Sequence, residues 1–175
     1  MQERAKHGKE AAVMILGILS DSHDNIWKLA DAIPHLQSTD VVIHCGDLCA
    51  PFMVKRLAAG IGSIPLHIVW GNNDGDPQAI ARVASSFSNV HLHGQAAKLE
   101  LEGFRVGVNH YPEIAHEFAS SGNFDLVCYG HDHTAYEEQR QGCFLLNPGE
   151  LMGMNGRSTI ALFDTSARSV TWVEL

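Results

Sequence analysis

The sequence predicts an α/β protein made of two packed, mixed β-sheets with helices on the outside, a four-layer αββα sandwich. Three observations predict it. Short continuous apolar runs alternate with amphipathic stretches through the first half, the pattern of parallel strands joined by right-handed crossovers. The second half changes to closely spaced strands with a single helix, which reads as a mixed second sheet. Hydrophobic residues make up 45% of the 175 residues, enough for one core of ordinary size.

The elements follow in order. Val13 to Ser20 is a continuous apolar run of strand length, as expected for a strand covered on both faces. From Asp24 to about Leu36, Ile26, Leu29, Ala30 and Ile33 fall at helical spacing, with Asp24 or Asn25 placed to cap. Val41 to Cys45 is a second buried strand, and Pro51 to about Ala59 a helix with proline in its first turn. Pro65 to Trp70 gives a third strand and Pro77 to about Phe87 a third helix. Lys98 to Glu102 and Phe104 to Val108, separated by a glycine, suggest an antiparallel pair. A helix over Pro112 to Ser120 precedes a strand at Phe124 to Tyr129. Short strands follow near Ala135 to Arg140, Gly142 to Leu146, Thr159 to Asp164 and Val170 to Leu175.

Composition narrows the rest. The longest apolar run, Ala11 to Leu19, is too short to span a bilayer, and no cleavage-site pattern follows it. Met1–Glu10 reads as a charged, mobile leader, and residues 11–175 as one domain. Cys45, Cys49, Cys128 and Cys143 form no CxxC pair and read as reduced thiols in a cytoplasmic protein. A formal charge of −8 argues against nucleic-acid binding by a basic face. It leaves room for a small phosphate ester, because bound dications reverse the local field. A homo-oligomer is a reasonable default.

Chemistry concentrates in four blocks, each following a buried strand: Asp21-Ser22-His23, Gly46-Asp47, Gly71-Asn72-Asn73-Asp74 and Gly130-His131-Asp132-His133. In sheets of this kind, ligands bind beyond the carboxyl ends of the strands, where the loops converge. Asp-x-His alone is weak evidence, and Gly-Asp is usually a turn. Gly-His-x-His is more specific, since paired histidines after a buried strand rarely serve packing. Their joint occurrence at strand ends supplies the carboxylate, imidazole and amide oxygens that a two-metal hydrolytic site needs.

These blocks, with a later His110 and Asn147-Pro148-Gly149, make the chain similar to the calcineurin-like metallophosphoesterase superfamily. The short length and the form Gly-Asn-Asn-Asp resemble its small prokaryotic phosphodiesterase branch, over roughly Met14 to Leu175. The resemblance implies two divalent cations, one taking Asp21, His23 and His133, the other Asn72, His110 and His131, with Asp47 bridging. Mixed nitrogen and oxygen ligation favours manganese, with iron, nickel, cobalt or zinc as alternatives, over magnesium or calcium. The activity implied is cleavage of a small phosphate ester, chiefly a diester, by a hydroxide shared between the cations. Asn72 and Asp74 are the further catalytic candidates, Asp74 as an orienting or loop-supporting group.

The chain also departs from the family. Tyr111 and Pro112 follow His110 where Gly and His are usual, and Asn73 replaces a histidine suited to protonate a leaving group. Asn cannot act as an acid, which favours activated or diester substrates. Glu150 stands where the small branch often has Ser. His44 and His67 read as structural, His91 and His93 as alternation in a half-exposed strand, and Trp27 and Trp70 as core or pocket walls without the aromatic company for base stacking. Asn25, Tyr111 and the loop Leu151 to Arg157 are the candidate pocket walls. Two other functions fit the same family. A non-catalytic scaffold, like a retromer subunit, would show eroded ligand positions, and none of the seven is eroded. A nuclease would carry a basic track.

Overall fold

The computed structural model describes residues 13–175, so the leader expected over Met1–Glu10 lies outside the described residues. The chain runs β1 (Ile15–Leu19), α1 (Ile26–Leu36), β2 (Val41–His44), α2 (Pro51–Ile61), β3 (Leu66–Ile68), α3 (Pro77–Ala84) and β4 (Val90–Leu92). It continues as β5 (Ala96–Leu101), β6 (Phe104–Asn109), α4 (Pro112–Ser120), β7 (Leu126–Cys128), β8 (Ala135–Arg140), β9 (Cys143–Pro148), β10 (Thr159–Asp164) and β11 (Ser169–Glu174).

Local chemistry explains the boundaries. The Asn25 side chain accepts from the Lys28 backbone N–H and caps α1. Pro51, Pro77 and Pro112 open the other three helices, where the missing N–H is no loss. Asp76 caps α3 through the Ala79 N–H. The α4 and β8 bounds are those the sequence predicts.

Six strands form the first sheet in the order β11-β10-β1-β2-β3-β4, and five form the second in the order β5-β6-β7-β9-β8. Strands β1 to β4 are parallel, as are β6, β7 and β9. One feature differs from the sequence reading, which grouped all the late strands in the second sheet: β10 and β11 return to the first, with β10 antiparallel to β1. The reason is burial on both faces of β10. Ala161 and Phe163 point into the core between the sheets, while Ile160 packs on the helix side.

The inter-sheet core includes Leu16, Ile18, Ile43, Val106, Leu126 and Phe163, all inaccessible to solvent. Each such side chain contributes about 1.5–3 kcal/mol relative to exposure. Helices α1, α2 and α3 cover the outer face of the first sheet, and α4 with Phe124 covers the second, packing on Val127 of β7 and Leu145 of β9. This is the αββα order. Among the described residues, no helix is long and apolar enough to cross a membrane.

Candidate metal centre

The candidate residues leave the carboxyl ends of strands in both sheets. Asp21 and His23 follow β1, Asp47 follows β2, and Asn72 follows β3. From the second sheet, His110 follows β6, His131 and His133 follow β7, and Glu150 follows β9. Backbone hydrogen bonds lace these loops together: Asp21 N to Gly46 O at 3.1 Å, His23 N to Asp47 O at 3.0 Å, and Gly130 N to His110 O at 3.0 Å.

Five of the seven predicted ligands adopt left-handed backbone: Asp21 (φ 50°), His23 (38°), Asp47 (58°), His131 (78°) and His133 (58°). Such strain collects where surrounding structure holds a functional constellation in place. Glycines make the approach close. A Cβ on Gly71 would stand 2.7 Å from Asp47 Cγ, and one on Gly130 would stand 2.6 Å from Asp21 Oδ2.

The side chains converge as the motifs predict. Asp21 Oδ1 lies 3.3 Å from His133 Nε2 and 3.7 Å from His23 Nε2. Asp47 Oδ2 lies 3.6 Å from His23 Nε2 and 3.4 Å from His110 Nε2, between the two groups. Asn72 Oδ1 lies 3.0 Å from His110 Nε2 and 2.9 Å from His131 Nδ1. Asp21, His23 and His133 are close enough together to hold one cation, and so are Asp21, Asp47 and His110.

Two features of these atoms fit a metal better than hydrogen bonding. Asp21 Oδ1 and His23 Nε2 are buried without a hydrogen-bond partner, an expensive condition for polar atoms. The spacings of 3.3–3.7 Å around Asp21 and Asp47 are long for hydrogen bonds. They suit neighbouring ligands that each stand about 2.1 Å from a shared ion, which puts them about 3.4 Å apart in tetrahedral geometry.

The surroundings select the nitrogen each histidine offers. The Cys45 carbonyl accepts from His110 Nδ1–H at 2.8 Å, and the Glu150 carboxylate accepts from His133 Nδ1–H at 2.6 Å. Both rings therefore turn Nε2 toward the carboxylates, the arrangement by which outer partners orient metal-binding imidazoles. Glu150 is 1% exposed. Its role is invisible in the sequence, where it is a lone acid after Asn-Pro-Gly.

Charge is matched inside the cluster. Burial pushes the Asp47 carboxyl up, but the facing His110 ring and hydrogen bonds from the Asn73 backbone and side chain outweigh it and hold it well below the usual carboxylate range. Asp21 is likewise lowered: burial opposes ionisation, and His23, Ser20, His110 and His133 overcome it. His23 is raised, first by the Asp21 carboxylate that faces its ring. His110 is raised although burial works against its charge, because Asp47 and Asp21 face it. The two buried carboxylates thus stay anionic and demand positive charge beside them, which a cation would supply.

Other predicted residues occupy the rim. Asn73 donates its backbone N–H to Asp47 Oδ1 and its side-chain amide to Oδ2, each at 2.7 Å. Asp74 accepts from the backbone N–H groups of Asp47, Cys49 and Gly71 at 2.7–3.1 Å, so its oxygens brace the two loops. Tyr111 packs edge-on against His110 and His131. Cys49 Sγ lies 3.4 Å from His23 Nδ1, yet burial and then Asp24, Asp47 and Asp74 push its thiol up to about 12, far from a thiolate. Trp27, expected in the core or a pocket wall, is instead 74% exposed. It lies in the first turn of α1, whose buried stripe is Leu29, Ala32 and Leu36.

Residues 14–168 match the family described as the calcineurin-like phosphoesterase superfamily domain. A phosphodiesterase of Methanocaldococcus jannaschii is 27% identical over 162 residues, spanning 89% of this chain and 95% of the relative. A probable metallophosphoesterase of Bacillus subtilis is 30% identical over 138 residues, 77% of this chain and 73% of the relative. A solved structure, characterised as a novel archaeal phosphodiesterase, superposes with a TM-score of 0.85 at 26% identity, covering 93% of this chain and 100% of that one. With the fold, the strand-end motifs and these likenesses agreeing, the chain belongs to the calcineurin-like phosphoesterase superfamily, in its small prokaryotic phosphodiesterase branch.

Proposed function

We propose that this chain is a two-metal phosphodiesterase acting on a small phosphate ester in a reducing, cytoplasmic setting, with residues 11–175 as its single working unit. Asp21, His23 and His133 would hold one cation, Asn72, His110 and His131 the other, and Asp47 both. Imidazole and carboxylate donors together favour manganese, with iron, nickel, cobalt and zinc as alternatives. When bound, paired dications supply Lewis-acid charge for the phosphoryl oxygens and lower the pKa of a water. The observation that carries the reading is the pair of buried, unpartnered atoms, Asp21 Oδ1 and His23 Nε2, beside Asp47.

The protein's own groups divide the remaining work. Glu150 and the Cys45 carbonyl hold His133 and His110 in one tautomer and orientation. Asp74 ties the loop after β2 to the loop after β3. Asn73 is bound to Asp47 and has no proton to give, and the oxygens of Asp74 are engaged by three N–H groups. With neither side chain of this loop free to protonate a leaving group, the site suits one that departs unprotonated, hence activated esters and diesters over alkyl monoesters. The four free cysteines support the reducing setting.

The test is hydrolysis of bis(p-nitrophenyl) phosphate by chelator-stripped protein resupplied with Mn, Ni, Co or Zn. Activity should return with metal and fall at least about 100-fold in Asp47→Asn, which leaves the shape but removes the shared charge. Absence of metal-dependent turnover with every ion, or a fully active Asp47→Asn, refutes the proposal.

A further inference from the structure

A cavity of about 330 Å³ opens from His133, walled by Thr134, Asn155 and Arg157. A second of about 300 Å³ shares Ala135, Arg157 and Thr159 with it and ends on Tyr136, Glu137 and Trp172. The two lobes make one groove, lined on one side by β8, an edge of the second sheet, and on the other by β11, an edge of the first. Tyr136 and Trp172 are 39% and 36% exposed and belong to none of the core clusters, so packing does not account for them. Both strands are otherwise mostly polar, AYEEQR and SVTWVE. Arg157 walls both lobes, with Glu174 holding one guanidinium nitrogen at 2.9 Å and other donors left over.

Resting on the phosphodiesterase reading above, we propose that this groove takes the nucleoside arm of the substrate, a small nucleotide diester. The phosphate would sit at the metal centre, the sugar beside Thr134 and Arg157, and the base on Trp172 and Tyr136. An aromatic face stacks on any base, and a guanidinium serves phosphate and sugar oxygens. Glu137 offers an acceptor to amino and imino groups on the base edge. The reach is right for one nucleoside: Tyr136 lies three positions after His133, at most about 10 Å of extended chain. A polynucleotide does not fit this description, since the groove is short and the chain carries a charge of −8. Hydrolysis would form a phosphorus–oxygen bond from water and break the bond to the other ester arm. A nucleoside monophosphate and an alcohol leave, with water supplying the oxygen and the alcohol's proton.

Two chromogenic diesters with the same leaving group test the assignment: thymidine 5′-(p-nitrophenyl phosphate) and methyl p-nitrophenyl phosphate. The metal-loaded enzyme should prefer the nucleoside ester in kcat/KM. Trp172→Ala should cut that preference about 10- to 100-fold, the worth of one stacked base, while Trp172→Phe keeps most of it. Turnover of both esters with the same preference in wild type and Trp172→Ala overturns the groove but not the phosphodiesterase. Turnover of neither sinks the phosphodiesterase reading. The groove is then judged by equilibrium binding to metal-free protein. A nucleoside 5′-monophosphate should quench tryptophan fluorescence in wild type and not in Trp172→Phe, while ribose 5-phosphate should quench neither. Equal quenching in Trp172→Phe, or none in wild type, overturns the proposal by itself.

Discussion

Replacing Glu150 by Ala should weaken metal binding about 10- to 100-fold without touching a proposed ligand. The carboxylate is 1% exposed and does two things: it accepts from His133 Nδ1 at 2.6 Å and from the Asn155 backbone N–H. The first contact decides that His133 Nε2, and not Nδ1, faces Asp21 Oδ1 at 3.3 Å. Without it the imidazole is free to turn and to change tautomer. Loss of an outer partner of this kind costs about 10–100-fold in metal affinity, or about 1.4–2.7 kcal/mol. Glu150→Gln keeps an acceptor for Nδ1–H but not the charge, so it should fall between wild type and Ala. The assay is calorimetric titration of manganese into chelator-stripped protein, with thermal melts of the metal-free forms to separate a general loss of folding. Affinities within twofold of wild type for both variants would show that His133 is oriented by something else.

Gly71→Ala should damage the site by crowding, because the new Cβ would press on the Asp47 carboxylate and backbone N–H. Overpacking of this order costs about 1–3 kcal/mol, visible in urea denaturation, and metal affinity should fall with it; a wild-type midpoint and affinity would refute the geometry. His67 gives a pH-dependent prediction away from the site. Its Nδ1 lies 2.8 Å from His93 Nε2, and burial, then His93 and His91, lower its pKa from 6.5 to about 4. The folded ring is neutral while the unfolded ring binds a proton first, so its contribution is intact above pH 6.5 and is lost as pH falls toward 4. Discounted for partial solvent screening, the loss is about 1–2 kcal/mol. His67→Leu should therefore lose less stability than wild type between pH 7 and 4.5 in denaturant titrations, and parallel losses would refute it.

Much of this was legible in the sequence because two kinds of signal agree. Proline at the helix starts and unbroken apolar runs in the strands set the elements of the first half within a few residues. The strand-end blocks were legible because ligand chemistry restricts residue type, and parallel strands put their ends on one side. What stayed hidden depends on pairing. Nothing in the run Thr159 to Asp164 tells which sheet it joins; that follows from burying Ile160 on one face and Phe163 on the other. Glu150 meets His133 only because β9 lies beside β7. Tyr136 and Trp172 line one groove only because two sheet edges face it, so the sequence, which showed Trp27 and Trp70 without aromatic neighbours, concealed the aromatic residues proposed to take a base.

The backbone at the site adds a constraint that the motif alone does not express. A left-handed residue costs roughly 1–2 kcal/mol for most side chains, and five proposed ligands take that conformation. Asp, Asn and His are the non-glycine residues that enter this region most readily. The residue types that bind dications are therefore also those that make the sharp exits from β1, β2 and β7 cheapest. The two proposed ligands outside the left-handed set, Asn72 and His110, are fixed instead by side-chain contacts, His110 through the Cys45 carbonyl and Asn72 through His110 and His131. Replacing a left-handed ligand by Ala thus removes a donor atom and adds turn strain, whereas replacing the fully buried His110 adds no turn strain but opens a cavity and leaves the Cys45 carbonyl without its partner. A loss of activity alone would not separate the two classes, but comparing Ala with Gly at each position in the metal-free protein would, because Gly relieves strain only at the left-handed positions. His23→Gly and His133→Gly should be more stable than the matching Ala variants, and His110→Gly should be no more stable than His110→Ala; the opposite ordering in urea denaturation would refute the backbone account.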